Sequence, residues 1–184
     1  MSADQVATYV ALLRGVNVGG KNKMPMRDLF MMFTLAGCEA VETYIQSGNV
    51  VFKAGSALAA RIPTLIASGI EERFGYRVSV VVRTAEELRD VVRDNPFLSA
   101  GVDAERLHVA FLADVPEDDR VAQLDPDRSP PDVFQVRGRE IFLYCPNGLA
   151  RTKLTNGYFD SKLATTSTVR NWRTTLTLLT MADR

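Results

Sequence analysis

The chain has 184 residues, 46% hydrophobic and 24% charged, an ordinary globular balance that can bury a core in one domain or two small ones. Its formal net charge is zero, so the whole molecule is not a polycation built for nucleic acid. No apolar run approaches the ~18 residues that span a bilayer, and two cysteines with a single histidine cannot make a disulfide framework, a zinc cluster or a His-pair metal site.

The start of the chain, Met1 to Gln5, lacks the basic region and apolar core of a signal peptide, which predicts a cytoplasmic protein. Ala7 to Leu13 is a continuous apolar run and reads as a central, buried strand. Arg14 to Lys23 follows as a loop rich in glycine and positive charge. Pro25 suits the first turn of a helix, on which Leu29, Met32, Phe33 and Ala36 share one face, with Gly37 as its stop. Val41 to Ile45 and Val50 to Phe52 flank the turn residues Gln46-Ser47-Gly48-Asn49 and read as a hairpin. Ala57 to Phe74 reads as a helix with Leu65, Ile66, Ile70 and Phe74 inward; Pro63 either kinks it or marks its start. Arg77 to Arg83 is the next strand. The order is βαββαβ, the ferredoxin-like unit.

Thr84-Ala85-Glu86-Glu87 is a capping box, opening a helix with Leu88, Val91 and Val92 inward. The pattern then partly repeats. Leu107 to Leu112 is a strand and Glu117 to Leu124 a short helix. Val133 to Val136 and Glu140 to Tyr144 form a hairpin around Arg137-Gly138-Arg139. Two helices are predicted at about 151–163 and 168–182, so the second copy reads βαββα with its fourth strand replaced by helix. The expected fold is α+β: a ferredoxin-like lobe over 1–83, a linking helix and loop over 84–100, and a second lobe with terminal helices over 101–184. Both sheets are expected to be mainly antiparallel.

In a ferredoxin-like sheet the first and third strands are antiparallel neighbours. The end of the first strand therefore meets the turn between the second and third, which brings Arg14, Asn17 and Lys23 towards Ser47 and Asn49. Gly15, Gly19 and Gly20 can take φ > 0 and let a group approach the backbone. A strand, a glycine-rich loop and a helix start resemble a phosphate site in outline. The loop matches neither G-x-x-x-x-G-K-[ST] nor a G-x-G-x-x-G running straight into its helix. The alternative is a tight βα connection carrying solvated lysines.

Charge is uneven further along. Asp114 to Asp132 holds seven acidic residues against Arg120 and Arg128, and Arg137 to Arg173 holds seven basic residues against Glu140 and Asp160. Pro146-Asn147-Gly148, followed by Arg151, Thr152 and Lys153, reads as a second βα junction with cations at a helix start. There they oppose the helix dipole, as if an anion compensated them.

Three stretches together resemble a known bacterial family, domain of unknown function 1697: Ala11 to Gly20 with Lys23-Met24 after it, Tyr44 to Phe52, and Thr168-Val169-Arg170-Asn171-Trp172-Arg173-Thr174. Where the family pattern usually has serine before the lysine after the last hairpin, this chain has Thr152-Lys153, which keeps a hydroxyl. The resemblance implies two ferredoxin-like lobes and no activity, cofactor or catalytic residue.

Cys145 and His108, on neighbouring strands, read as packing residues rather than a nucleophile and base. Cys38 reads as a small apolar residue at a helix end, and both cysteines as unpaired thiols. Trp172 is predicted to be a core anchor on a stripe with Val169, Leu176 and Leu179. The function expected is a binding module for an anionic ligand, bearing phosphate or carboxylate, or for nucleic acid. Its ligand contacts would be Arg14, Asn17, Gly19, Gly20, Lys23, Ser47, Asn49, Arg151, Lys153, Arg170 and Asn171. The alternatives are an enzyme acting on a small anionic substrate between the lobes and a protein-interaction domain without a ligand. No cofactor, metal or membrane partner is expected.

Overall fold

The structure, a computed structural model, describes residues 5–184. Among them one order of elements occurs twice. The first copy is β1 (Val6–Leu13), α1 (Met26–Leu35), β2 (Glu39–Tyr44), β3 (Asn49–Gly55), α2 (Ser56–Phe74) and β4 (Val80–Thr84), followed by α3 (Ala85–Arg93). The second is β5 (Leu107–Leu112), α4 (Asp118–Val121), β6 (Val133–Arg137), β7 (Glu140–Tyr144), α5 (Asn156–Leu163) and β8 (Ser167–Asn171), followed by α6 (Trp172–Ala182). Each copy folds its strands into one antiparallel sheet, in the orders β2-β3-β1-β4 and β6-β7-β5-β8. The fold is α+β with two ferredoxin-like lobes. The chain forms two compact units, one reaching Arg89 and including Leu178–Arg184, the other spanning Asp90–Thr177.

In the first unit β1 is apolar throughout because it is central, flanked by β3 and β4 and buried from Tyr9 to Leu13. Tyr9, Ala11 and Leu13 join Val50 and Phe52 of β3 in a core with α1 and α2. Phe52 stacks on Tyr9 at 5.6 Å between centroids and meets Phe33 of α1 at 5.2 Å. Helix α1 ends in a Schellman arrangement: the Cys38 N–H donates to Phe33 O, and the Gly37 N–H to Thr34 O. Helix α2 starts at Ser56, so Pro63 lies inside it and does not mark its start. Its inner stripe is Ala59, Ile62, Ile66 and Ile70. Leu65, expected inward, is 37% exposed. It falls one residue before Ile66 on the helix, off the 62–66–70 row. The capping box at α3 is reciprocal, with Thr84 N–H on Glu87 Oε2 at 2.8 Å and Glu87 N–H on Thr84 Oγ1 at 3.0 Å.

The second unit corrects two expectations. Its fourth strand exists. Residues 167–171 form β8, which pairs with β5 (Ala110 opposite Val169), so the lobe is βαββαβ rather than βαββα. The strand is hard to read because Ser167, Thr168 and Arg170 are polar yet buried. Side-chain bonds satisfy them: the Ser167 hydroxyl donates to Asp160 Oδ1 at 2.7 Å, and Arg170 Nη1 donates to Thr168 Oγ1 at 2.9 Å and to Val169 O at 3.0 Å. Val169 therefore belongs to a strand and not to a helical stripe with Trp172. Trp172, 4% exposed, opens α6 as a buried anchor, while Leu176 points outward at 40% exposed. The second correction is the start of α5. Thr155 caps it by accepting from Tyr158 N–H at 3.2 Å. Arg151 and Lys153 thus precede the helix, and their charge does not sit in its first turn to oppose the dipole.

Both cysteines are free, buried thiols, and burial pushes each up to about 11. At Cys145 the charge of Asp132 adds to the rise, and a hydrogen bond with Thr152 opposes it. Neither thiol should react with iodoacetamide at pH 8 in the native protein, and both should react once urea unfolds it. A thiol held up in the fold retains its proton after the unfolded chain has lost its own. Stability should therefore fall as pH rises from about 9 to about 11. Urea midpoints across that window check the sign.

Candidate functional site

Two loop clusters carry the residues singled out by the sequence, one in each unit. In the first unit the opening loop and the β2–β3 turn meet, as the sheet order requires. Leu13 N–H donates to Gly48 O at 2.8 Å, and Asn17 Nδ2 donates to Gln46 O at 2.8 Å. The loop is tied down by its own polar groups. Asn17 also donates to Met24 O and accepts from Met24 N–H, both at 2.8 Å. Asn22 Nδ2 donates to Gly15 O at 3.0 Å, and the Tyr76 hydroxyl is 3.1 Å from Asn22 O and 3.2 Å from Lys23 O. Asn49 is fully buried, its Nδ2 on Tyr44 O at 3.2 Å and Ser47 Oγ at 3.0 Å. Asn17 and Asn49 are therefore structural ties, with their amide donors directed at backbone and at Ser47. Gly19, Gly20 and Lys23 are exposed and Arg14 is half-buried.

The second unit builds a cavity of about 430 Å³ from three segments that its register brings together. Strand β7 runs antiparallel to both β5 and β6, so Leu107 and Val133 both lie opposite Tyr144. The residues just before β5, just before β6 and just after β7 must then share one edge of the sheet. They are Arg106, the Ser129-Pro130-Pro131-Asp132 turn with a cis Pro130–Pro131 bond, and Pro146 to Thr152.

Polar groups converge at this edge. Ser129, buried, accepts Lys153 N–H at 3.0 Å and donates to Asp132 Oδ2 at 2.9 Å. The Thr152 hydroxyl lies 3.4 Å from Ser129 Oγ and accepts Leu154 N–H at 3.1 Å. Gly148 has φ 77 and ψ 174, a conformation essentially confined to glycine. A Cβ there would lie 3.5 Å from Arg106 Nη1, so the bare backbone and that guanidinium are neighbours. Arg106 pairs with Asp103 only at 3.9 Å, with both side chains about half exposed. Arg151 is exposed and makes no ion pair among the described residues.

Of the expected contacts, Arg151 lines the cavity, and Lys153 reaches it only through its backbone N–H on Ser129. Arg170 is 8% exposed, and burial lowers it to about 10. Asn171 caps α6, accepting Thr174 N–H at 2.7 Å. Arg106, Ser129 and Asp132 went unrecognised, because no spacing in the sequence links them. The signal that could have found them is the register of β5, β6 and β7, which were themselves legible. Among the described residues no hydrogen bond joins His108 to Cys145. His108 Nδ1 sits 3.2 Å from Arg106 O, desolvation lowers the imidazole, and burial raises the thiol. Among the described residues no three of His, Cys, Asp and Glu group as a metal site, and no helix is long and apolar enough to cross a membrane.

Residues 6–142 match the model of a family described as "Protein of unknown function (DUF1697)". A conserved bacterial protein of solved structure, SP0830 from Streptococcus pneumoniae, is similar in fold. It superposes with a TM-score of 0.74 over 97% of this chain and 99% of its own, at 24% identity. No curated protein matches the chain.

Proposed function

The chain belongs to the DUF1697 family, and we propose that it works as a binding module for a small anionic ligand, held by its phosphate or carboxylate in the cavity of the second unit. One observation carries this reading. Arg106 and Arg151 line the same cavity of about 430 Å³, with the hydroxyls of Ser129 and Thr152 beside them. The volume lies within the usual ~300–1,000 Å³ of small-ligand pockets. Guanidinium forks suit carboxylate and phosphate, and the bare backbone at Gly148 leaves room beside Arg106.

Inorganic phosphate and succinate should raise the unfolding temperature by mass action, and Arg151→Gln should remove most of that shift. Phosphate also stabilises proteins generally, by exclusion from their surface. The difference between wild type and variant is therefore the measured quantity. Losing one charge-assisted contact of about 1.5–3 kcal/mol weakens binding by about 10- to 100-fold. Equal shifts in both proteins would refute the reading.

A further inference from the structure

The cavity also contains a group that an anion does not explain. Asp132 is 7% exposed and lines the same cavity as the two arginines. Only its Oδ2 has a partner, the Ser129 hydroxyl at 2.9 Å; among the described residues nothing donates to Oδ1, and neither Arg106 nor Arg151 pairs with it. The carboxylate is nonetheless held in place. Its backbone N–H donates to Ser129 O at 2.8 Å, and Ser129 is fixed in turn by the backbone of Lys153. Oδ1 is not sealed from solvent, since the fully buried side-chain atom without a partner among the described residues is Asn95 Nδ2; it opens onto the cavity as an acceptor with no cation beside it. In a pocket for a simple anion it would repel the ligand. That repulsion turns to attraction if the ligand brings a positive charge.

This step rests on the anion reading above and specifies its ligand. We propose that the cavity takes a small zwitterion, an amino acid or an amino-phosphate, with its anionic group on Arg106 and Arg151 and its ammonium on Asp132. Opposite charges at one edge of the sheet then discriminate. An anion lacking the amine meets Asp132 unpaired, and an amine lacking the anion meets the two guanidinium groups.

The test uses two matched pairs of probes, propionate with β-alanine and ethyl phosphate with phosphoethanolamine. The full chain is titrated and the amide NMR signals of Gly148 and Thr152 are followed. In the wild type the aminated member of at least one pair should bind about 10-fold more tightly than its partner, and the pair that does so identifies carboxylate or phosphate as the anionic group. Asp132→Asn keeps an oxygen to accept from Ser129. It should bring the ratio near one without weakening the unaminated probe, whereas Arg151→Gln should weaken both members. Arg151-dependent binding with no preference for the amine, or a preference that survives in Asp132→Asn, would overturn the zwitterion while leaving the anion site standing. If no probe moves these signals in an Arg151-dependent way, both fall. Should Asp132→Asn fail to fold, the wild-type ratio decides alone.

Discussion

Gly48→Val is expected to leave the first unit severely destabilised. Gly48 has φ 75, and a Cβ there would sit 2.8 Å from Leu13 Cβ and 3.4 Å from Val16 Cβ. Leu13 and Val16 are both fully buried, and Leu13 is fixed by its own N–H bond to Gly48 O, so neither can move aside cheaply. A left-handed backbone costs a side chain about 1–2 kcal/mol, and overpacking adds about 1–3 kcal/mol. The sum, about 2–5 kcal/mol, should show as a urea midpoint far below wild type. Gly19→Ala is the control. Its φ of 58 is also left-handed, yet nothing lies within 4 Å of the added carbon. It should cost only the backbone part. Equal losses at the two glycines would mean that the approach of the turn to β1 is not tight.

Asn17→Ala should come next, at about 3 kcal/mol, from three hydrogen bonds worth about 0.5–1.5 kcal/mol each. Its amide joins Met24, at the entrance to α1, to Gln46 in the β2–β3 turn. Asn17→Asp tests the same point at constant shape. Oδ1 can still accept from Met24 N–H, but two donors are replaced by an oxygen facing two carbonyls, so most of the loss should remain. Asn17→Gly suits the φ of 55 yet should also be unstable, because the bonds and not the backbone angle dominate. Full stability in all three variants, by urea denaturation, would contradict this role.

The opening loop shows how far the sequence could be read. The strands around it were legible because β1 is a central apolar run, and their order set the end of β1 beside the β2–β3 turn, where Leu13 bonds Gly48 and Asn17 bonds Gln46. Glycine and asparagine at such a meeting serve a ligand or the backbone equally well in a sequence. The bonds of Asn17, Asn22 and Asn49 show the backbone using them. Strand β8 was hidden for another reason: its buried positions are polar and satisfied by side chains, so hydrophobic periodicity had little to report. The cavity was hidden because Arg106, Ser129 and Asp132 are near one another only through the antiparallel register. The stretch from Asp114 to Asp132 is rich in acidic residues, yet Ser129 and Asp132 within it are buried.

Anion binding in the second unit is tested most directly by a crystal of the protein soaked in selenate and measured at the selenium edge. An anion site in the cavity predicts an anomalous peak between Arg106 and Arg151, with the oxyanion in reach of Thr152, and its loss in Arg151→Gln crystals. A peak at the Arg14–Lys23 loop instead, or a peak at Arg106 unchanged when Arg151 is replaced, would contradict it.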